Sequence, residues 1–511
     1  MTSLKVLRGK LFDKFLNGVE KVGNALPHPA TLFGLMALLI LVFSAIAAAT
    51  NWTALHPGTS ELIEPVNLLS RTGIHRVITE MVVNFTSFAP LGIVMVAMLG
   101  IGIAESSGLI GAFIRLIVLS SPRKLLTFVL VLSGILSNAA SDVGYVLLIP
   151  LAGIIFIAIG RHPIIGMAAA FAGVSGGFSA NLILGTIDPL LAGLSEEAAH
   201  IIDASYSVNP TANYYFMVAS TFVIAFTGTW VTERFVAPRF GKYEGDDAGD
   251  KMKSLTLLER KGLRRSFYVA LVILAVTLIT IIPANSFFRG DDGTILGSPL
   301  IRGVVAMLFI TSALMGIVYG FTIKKYKNDK DIMEGMADAM KTLGMYYVLV
   351  FFAAQFVAYF KWSNLGIIFA IKGANLVIAS GLGLIPLMIL FIILSGLINL
   401  AMGSASAKWA IMAPVFIPMF MLLGYSPELS QVVYRIGDSV TNIISPMMSF
   451  FALIIAFIQK YDKNAGIGTV IATMLPYTLA FFLVWTILLI VWLVLGLPLG
   501  PGAGIYYTLP G

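Results

Sequence analysis

The stretch Leu394-Ser-Gly-Leu-Ile-Asn399, then Gly403-Ser-Ala-Ser-Ala-Lys-Trp409, Pro414, Gly424, Pro427, Gly437-Asp-Ser439 and Thr441-Asn-Ile-Ile444, has occurred once before in this chain. At 132–183 stand Leu132-Ser-Gly134, Asn138, Pro150, Gly160, Pro163, Gly173-Val-Ser175 and Ala180-Asn-Leu-Ile183. In both copies the prolines are thirteen apart, a glycine stands three before the second proline, and Gly-x-Ser begins ten after it. The match points to duplication. In an apolar protein, two related segments interrupted by Gly, Pro and Asn suggest a secondary transporter whose broken helices meet near the bilayer midplane. The spacing predicts repeats related by an axis in the membrane plane, with Asn138 and Asn399 at opposed tips.

Composition sets the solvent. Of 511 residues, 58% are hydrophobic and 12% charged, and the mean hydropathy is +0.92. Runs long enough to cross a ~30 Å hydrocarbon core recur at 30–49, 213–231, 267–283, 302–323, 344–360 and 467–496. These long unbroken runs exclude a β-barrel and predict an all-α polytopic membrane protein. About nine transmembrane helices are expected, with an inverted-repeat core of broken or re-entrant pieces. The first run begins too late and is too long for an ordinary cleaved signal peptide.

The chain has no cysteine, so thiol catalysis and cysteine-based metal sites are excluded, and the five histidines show no metal-ligand spacing. No HExxH, Walker or filter motif appears, which argues against an enzyme, an ATP-driven pump or a channel. The formal charge of +7 is not a nucleic-acid signature, because the basic residues flank membrane segments and orient them. Lys5, Arg8, Lys10, Lys14 and Lys21 place a segment 1–28 in the cytoplasm. A first membrane half then spans 29–231 and holds repeat 1 (132–189). A basic linker at 232–265 is cytoplasmic, and a second half at 266–496 holds repeat 2 (394–446). Lys324, Lys325, Lys327, Lys330, Lys460 and Lys463 mark further inner loops, and the tail 497–511 is external.

Polar residues inside apolar segments are costly, roughly 2.5–3.5 kcal/mol for a central charge, and demand a reason. Repeat 2 has Asn399, the small-residue run from Gly403 through Ser406 to Lys408-Trp409, Arg435, Asp438, Asn442 and Pro446. Repeat 1 has Ser137, Asn138, Asp142, Asn181 and Asp188-Pro189. Unwound carbonyls, Asn oxygens and a carboxylate suit Na⁺, an Arg suits an anionic group, and a Trp face suits an aromatic one. Alternatives stand beside these. Arg435 and Asp438 fit a structural ion pair, Trp409 fits plain packing, and Asp188 fits a helix cap. Lys408 fits a side chain that snorkels to water.

Together with Gly23-Asn-Ala-Leu-Pro-His-Pro29, Asn84-Phe-Thr-Ser-Phe-Ala-Pro-Leu-Gly92, Ser121-Pro-Arg-Lys124, Leu184-Gly-Thr-Ile-Asp-Pro189, Tyr434-Arg-Ile-Gly-Asp-Ser439 and Leu495-Gly-Leu-Pro498, these segments resemble the AbgT family of p-aminobenzoyl-glutamate transporters. Within it they resemble the MtrF and YdaH type. The resemblance implies a homodimer in the bacterial cytoplasmic (inner) membrane, with about nine spans and two hairpins per subunit. It implies a small aromatic or anionic substrate and Na⁺ or H⁺ as coupling ion. By the same resemblance Asn399, Gly403, Asp438 and Asn442 match a Na⁺ site. Asp188, Ser406, Trp409, Pro427, Arg435, Asp438 and Pro446 match a substrate path, while Lys361 and Lys408 match no family role. Export of sulfonamide antimetabolites by proton antiport is the expectation, with Na⁺- or H⁺-coupled uptake of p-aminobenzoyl-glutamate or a related carboxylate as the alternative.

Overall fold

The computed structural model describes residues 27, 29–55, 61–139, 144–241, 243, 254–283, 286–290 and 298–509. The basic N-terminal segment, the acidic part of the linker and Asp142 lie outside them. Helices form because a chain in hydrocarbon must satisfy its own backbone. In order they are α1 (Pro29–Ala49), α2 (Arg71–Thr86), α3 (Ala89–Ser107), α4 (Leu109–Leu119), α5 (Leu126–Ser137), α6 (Ile149–Ala158), α7 (Pro163–Phe171), α8 (Ile187–Ala199), α9 (Tyr214–Val231) and α10 (Leu257–Ile281). Then come α11 (Val304–Thr322), α12 (Asp329–Thr342), α13 (Gly344–Trp362), α14 (Leu365–Ser380), α15 (Leu384–Ala401), α16 (Ala405–Leu422), α17 (Pro427–Asn442), α18 (Phe451–Gln459) and α19 (Ile467–Val494). A two-stranded hairpin, β1 (Ala54–Leu55) with β2 (Leu62–Ile63), follows α1.

Among the described residues nine helical segments are long and apolar enough to span a bilayer, and Leu109–Leu119 with Arg123–Ser137 forms a further pair bent by 113°. The number of spans agrees with the sequence. The linker is shorter than 232–265, because the helix of α9 runs on to Arg239 and α10 already starts at Leu257.

Both repeats have one plan: an arm, a second arm, a tight turn, a third helix, and a break before a short fourth, with an unwound tip at 402–404 joining the arms of repeat 2. In repeat 1 these are α5, α6, α7 and α8; in repeat 2 they are α15, α16, α17 and α18. The turns match bond for bond. Gly160 (φ +77°) and Gly424 (φ +83°) end the second arms in the left-handed region. Arg161 N–H donates to Phe156 C=O at 2.8 Å, and Tyr425 N–H donates to Phe420 C=O at 2.9 Å. Both are Schellman closures, which need glycine at that position. A proline then opens each third helix, capped by His162 Nδ1 accepting from Ile164 N–H and by Ser426 Oγ accepting from Leu429 N–H. Burial holds the His162 pKa below its ordinary value, which favours the neutral ring that this cap requires.

The two turns lie at opposite ends of the molecule. The Gly160 turn sits among basic loops: Arg161 pairs with Glu233 at 2.8 Å, His162 packs on Phe240 and Tyr243, and Tyr243 meets Tyr461. The Gly424 turn sits with the C-terminal segment: Ser426 N–H donates to Ile505 C=O, and Tyr507 N–H to Gly424 C=O. Helix α9 connects these ends. Its start, Tyr215, donates to Leu499 C=O, and just past its end is Glu233. Its 18 residues measure about 27 Å at about 1.5 Å each. The repeats are therefore inverted, as their spacing predicted.

Glycine lets the arms close on the third helices. Gly134 lies with its missing Cβ 2.8 Å from Val174 N, and that of Gly396 would sit 3.1 Å from Thr441 Cγ2. A Cβ on Gly173 would collide with Val131 C=O, and one on Gly437 with Ile392 C=O. The repeats then touch directly, through Ser179 N–H donating to Ser439 Oγ at 3.1 Å. Outside this core α3 packs on α11 and α1 on α13, the former through Gly100 on Phe309 and Gly316 on Ala104, the close approach small residues allow in membranes. Gly437→Ala should destabilise the folded protein by about 1–3 kcal/mol, an overpacking cost. Gly468→Ala, which meets nothing within 4 Å, should be neutral or better. Thermal unfolding of the purified variants checks the contrast.

Candidate functional site

Four charged side chains are buried where the repeats meet, and each is paired. Lys408 and Asp438 are 0% and 1% exposed, Asp188 2% and Arg435 4%. Lys408 Nζ lies 2.5 Å from Asp438 Oδ1, a charge contact rather than an aligned hydrogen bond. Arg435 Nη2 donates to Asp188 Oδ1 at 2.6 Å, and Asp188 Oδ2 accepts from Gly185 N–H at 2.7 Å. Arg435 and Asp438 share one helix, as their spacing implied, but they are not each other's partners. Asp188 is the counter-charge and not the cap: the N-cap position of α8 is Thr186, and the Asp188 bond goes to the backbone just before the helix. Lys408 does not reach water; a four-carbon stem cannot escape a tip packed between α8 and α17.

Helix breaks supply the remaining polar atoms. Asn399, at the end of α15, donates from Nδ2 toward Asp438 C=O, Thr441 Oγ1 and Asn442 Oδ1, each at 2.8 Å. Its Oδ1 accepts from Lys408 Nζ. Ser445 Oγ donates to Asn399 C=O at 3.0 Å, tying the second break to the first tip. Gly403 is closed in by Met447 C=O. Asn399, Asp438 and Asn442 thus come together, while Gly403 packs on the backbone of the second break. Their oxygens suit a hard cation, but the Lys408 ammonium already holds Asn399 Oδ1 and Asp438 Oδ1. A second unit charge about 4 Å away would be repelled by about 4 kcal/mol at an effective dielectric near 20.

Trp409 is fully buried. Its ring stacks on Tyr434 at 4.5 Å, and its N–H donates to Ser195 Oγ at 3.0 Å. From there hydrogen bonds run through Gln431 (2.7 Å), Asn213 (2.9 Å) and Glu428 C=O (3.0 Å). This chain was not legible in the sequence, because its members come from α8, α16, α17 and the residue before α9. Ser406 is half-buried in the first turn of α16, and Pro446 half-buried in the break after α17. Pro427 opens α17, eleven residues before Asp438, so roughly 16 Å from it along the axis; it is not brought to the cluster. Lys361 is exposed at the end of α13.

Repeat 1 holds its polar groups differently. Ser137 Oγ donates to Gly134 C=O at 2.6 Å, and Asn181 Oδ1 accepts from Leu182 N–H at 2.8 Å. Both amide atoms of buried Asn138 lack a hydrogen-bond partner among the described residues, as do Ser175 Oγ and Arg435 Nε. Buried polar atoms left unpaired cost about 1–3 kcal/mol each, so such atoms mark places built for something other than stability.

Space is scarce beside Arg435: the cavity it lines with Ser179, Asn213 and Met217 is about 10 Å³, roughly one water. A cavity of about 1100 Å³ opens elsewhere, between α3, α4, α10 and α11, and reaches the repeat 1 break at Ala139 and Leu182–Leu184, with Arg260 and Arg264 on its wall. That volume suits a small organic molecule.

Asp188→Asn should strand the Arg435 charge and destabilise the protein by about 3–5 kcal/mol, while Asp188→Asn combined with Arg435→Gln should recover part of the loss. A double-mutant cycle in thermal unfolding reads the coupling.

The chain resembles proteins already described. The family model of the AbgT putative transporter family matches residues 14–507. The p-aminobenzoyl-glutamate transport protein of Escherichia coli (strain K12) is 36% identical over 490 residues, covering 96% of each chain. The Alcanivorax borkumensis YdaH transporter, described as having an unusual topology, superposes with a TM-score of 0.89 at 45% identity, over 93% of this chain and 100% of its own. Neisseria gonorrhoeae MtrF, described as illuminating a class of antimetabolite efflux pumps, superposes with a TM-score of 0.91 at 50% identity, over 96% and 100%.

Proposed function

The chain belongs to the AbgT putative transporter family, a family of transporters rather than enzymes, and from that premise we propose that it is an ion-coupled secondary transporter of folate-pathway aromatics. In this reading it exports sulfonamide-type antimetabolites, driven by the proton-motive force. The observation that carries the reading is the placement of two neutralised ion pairs, Lys408–Asp438 and Arg435–Asp188, each joining the start of a helix that follows a break to the third helix of repeat 2. A pair that only stabilised the fold gains little from such a position, since replacing buried pairs with apolar side chains is often neutral. A pair that must open and re-form gains its function there.

The roles follow from the chemistry of each group. Arg435 offers a planar fork to a carboxylate or sulfonyl oxygen, and Asp188 holds that fork until a ligand replaces it. Trp409 and Tyr434 now fill each other's faces, so an aniline ring enters only when they part. Ser406, at the tip beside them, donates to the ligand. Pro427 and Pro446 bound the helix that carries Arg435 and shape its motion. Asn399, the Gly403 carbonyl, Asp438 and Asn442 are the groups to hold a Na⁺, and Asp438 the group to hold a proton. In repeat 1, Ser137, Asn138 and Asn181 form the opposing tip.

The protein works as a homodimer in the bacterial inner membrane, with its N-terminus inside. The positive-inside rule supports that orientation: Arg161, Arg239, Lys460 and Lys463 share one end with the Gly160 turn, whereas the 498–509 segment lies at the other. The second reading, Na⁺- or H⁺-coupled uptake of p-aminobenzoyl-glutamate, is favoured by the name of the Escherichia coli relative.

Proteoliposome flux distinguishes the readings. Labelled sulfonamide should move against its gradient when a proton gradient is imposed, and a Na⁺ gradient alone should not drive it. Accumulation of p-aminobenzoyl-glutamate driven by Na⁺ would favour the second reading, and no flux of either compound would end both. Asp438→Asn keeps shape and removes charge; it should abolish gradient-driven accumulation in folded protein. Arg435→Lys should not restore transport, because Lys lacks the fork.

A further inference from the structure

The two repeats share one plan and differ in charge, and three of the differing positions lie in contact with one another. Counting from Leu-Ser-Gly, Asn399 corresponds to Ser137, one residue before the Asn138 that motif matching aligned with it. Counting back six residues from the arm prolines Pro414 and Pro150, Lys408 corresponds to Gly144; counting from Gly-x-Ser, Asp438 corresponds to Val174. The contacts agree with this register. A Cβ on Gly144 would meet Ser137 Oγ and lie 2.9 Å from both Val174 methyls. In repeat 2 the Lys408 side chain meets Asn399 Oδ1 and Asp438 Oδ1. One triangle of positions is thus built twice, once as Ser–Gly–Val and once as Asn–Lys–Asp.

The uncharged copy shows that the fold closes at this triangle without an ion pair. Lys408 is therefore not required by the backbone geometry, and its ammonium has another use. It sits where a free cation would sit: against an amide oxygen and a carboxylate, fully buried, among Asn442, Thr441 and a broken helix end. We infer that Lys408 is a tethered cation. Its ammonium competes with a free monovalent metal ion for Asn399 and Asp438, and so sets the ion requirement of this chain. With the ammonium in place the carboxylate is neutralised and no metal ion is needed. With it withdrawn, Asn399, Asp438, Asn442 and the Gly403 carbonyl are left as an oxygen cluster carrying one net negative charge, suited to Na⁺. The inference rests on reading repeat 2 as the ion-coupling site.

The test is equilibrium Na⁺ binding to the purified full-length protein, without substrate. Na⁺ replaces N-methylglucamine at constant ionic strength, read by radioactive Na⁺ binding and by the shift in unfolding temperature. Lys408→Gln should bind Na⁺ with a half-saturating concentration at least about tenfold below that of the wild type, the direction fixed by removing a competing charge. Lys408→Ala should do the same, and added propylammonium should then displace Na⁺ by refilling the vacated space. Wild-type protein should show no saturable binding in the range where the variants saturate. Equal affinity in wild type and variants, or no Na⁺ binding in either variant, overturns the inference, and so does tight saturable binding by the wild type should both variants fail to fold. Flux is measured separately. Loss of flux for both aromatic substrates ends the functional reading, whereas unchanged Na⁺ affinity with flux intact ends only the tethered cation.

Discussion

Charge neutrality in hydrocarbon is the constraint on which the rest of the structure depends. Lys408, Asp438, Arg435 and Asp188 together carry no net charge, and each is almost wholly out of water. An unpaired ion there would cost several kcal/mol, so the core is most stable when repeat 1 delivers Asp188 to Arg435 and the repeat 2 tip delivers Lys408 to Asp438. That requirement explains the breaks. A continuous helix cannot bring Gly185 N–H onto Asp188, or Ser445 onto the Asn399 carbonyl; unwound backbone can. It also explains the glycines at 134, 173, 396 and 437, which let the arms come close enough for the pairs to form.

Duplication supplies the geometry and divergence supplies the chemistry. The inverted copies share turn, cap and crossing, and they meet through Ser179 and Ser439. Only repeat 2 filled its triangle with ionisable groups. Repeat 1 kept small or apolar side chains there and placed a paired carboxylate, Asp188, after its second break, where it reaches across to the other repeat. The asymmetry gives the molecule one charged centre instead of two, shared between halves that face opposite sides of the membrane. A local change at that centre is felt by both halves.

Much of this was legible in the sequence, and the limits have physical causes. The number of spans, the duplication and its inversion follow from apolar length, basic loops and the spacing of Gly and Pro, all of which act locally. Asp438 and Asn442 as neighbours follow from helical periodicity, whereas Asn399, on another helix, was placed with them only by the family resemblance. The partners of Arg435 and Asp438 do not, because pairing is decided across helices by a packing that no spacing encodes. The one clue was Lys408 itself: a lysine in a small-residue tip within an apolar segment needs a carboxylate, and repeat 2 offers Glu428 and Asp438. Trp409 was equally ambiguous until Tyr434 and Ser195 were placed around it. The offset between Asn138 and Ser137 arose because matching residue types favours identity, whereas the structure preserves distance from the Leu-Ser-Gly crossing.

The central claim is that the repeat 2 tip, beside these ion pairs, is where substrate is held. The absence of native cysteine makes a direct measurement possible: the rate at which a single introduced thiol, Ser406→Cys, reacts with a small maleimide in membranes. The account predicts that a sulfonamide or p-aminobenzoyl-glutamate slows that reaction saturably, while leaving unchanged the rate at Ser380→Cys on the exposed end of α14. Equal rates at Ser406→Cys with and without substrate, in protein that still transports it, would contradict the account.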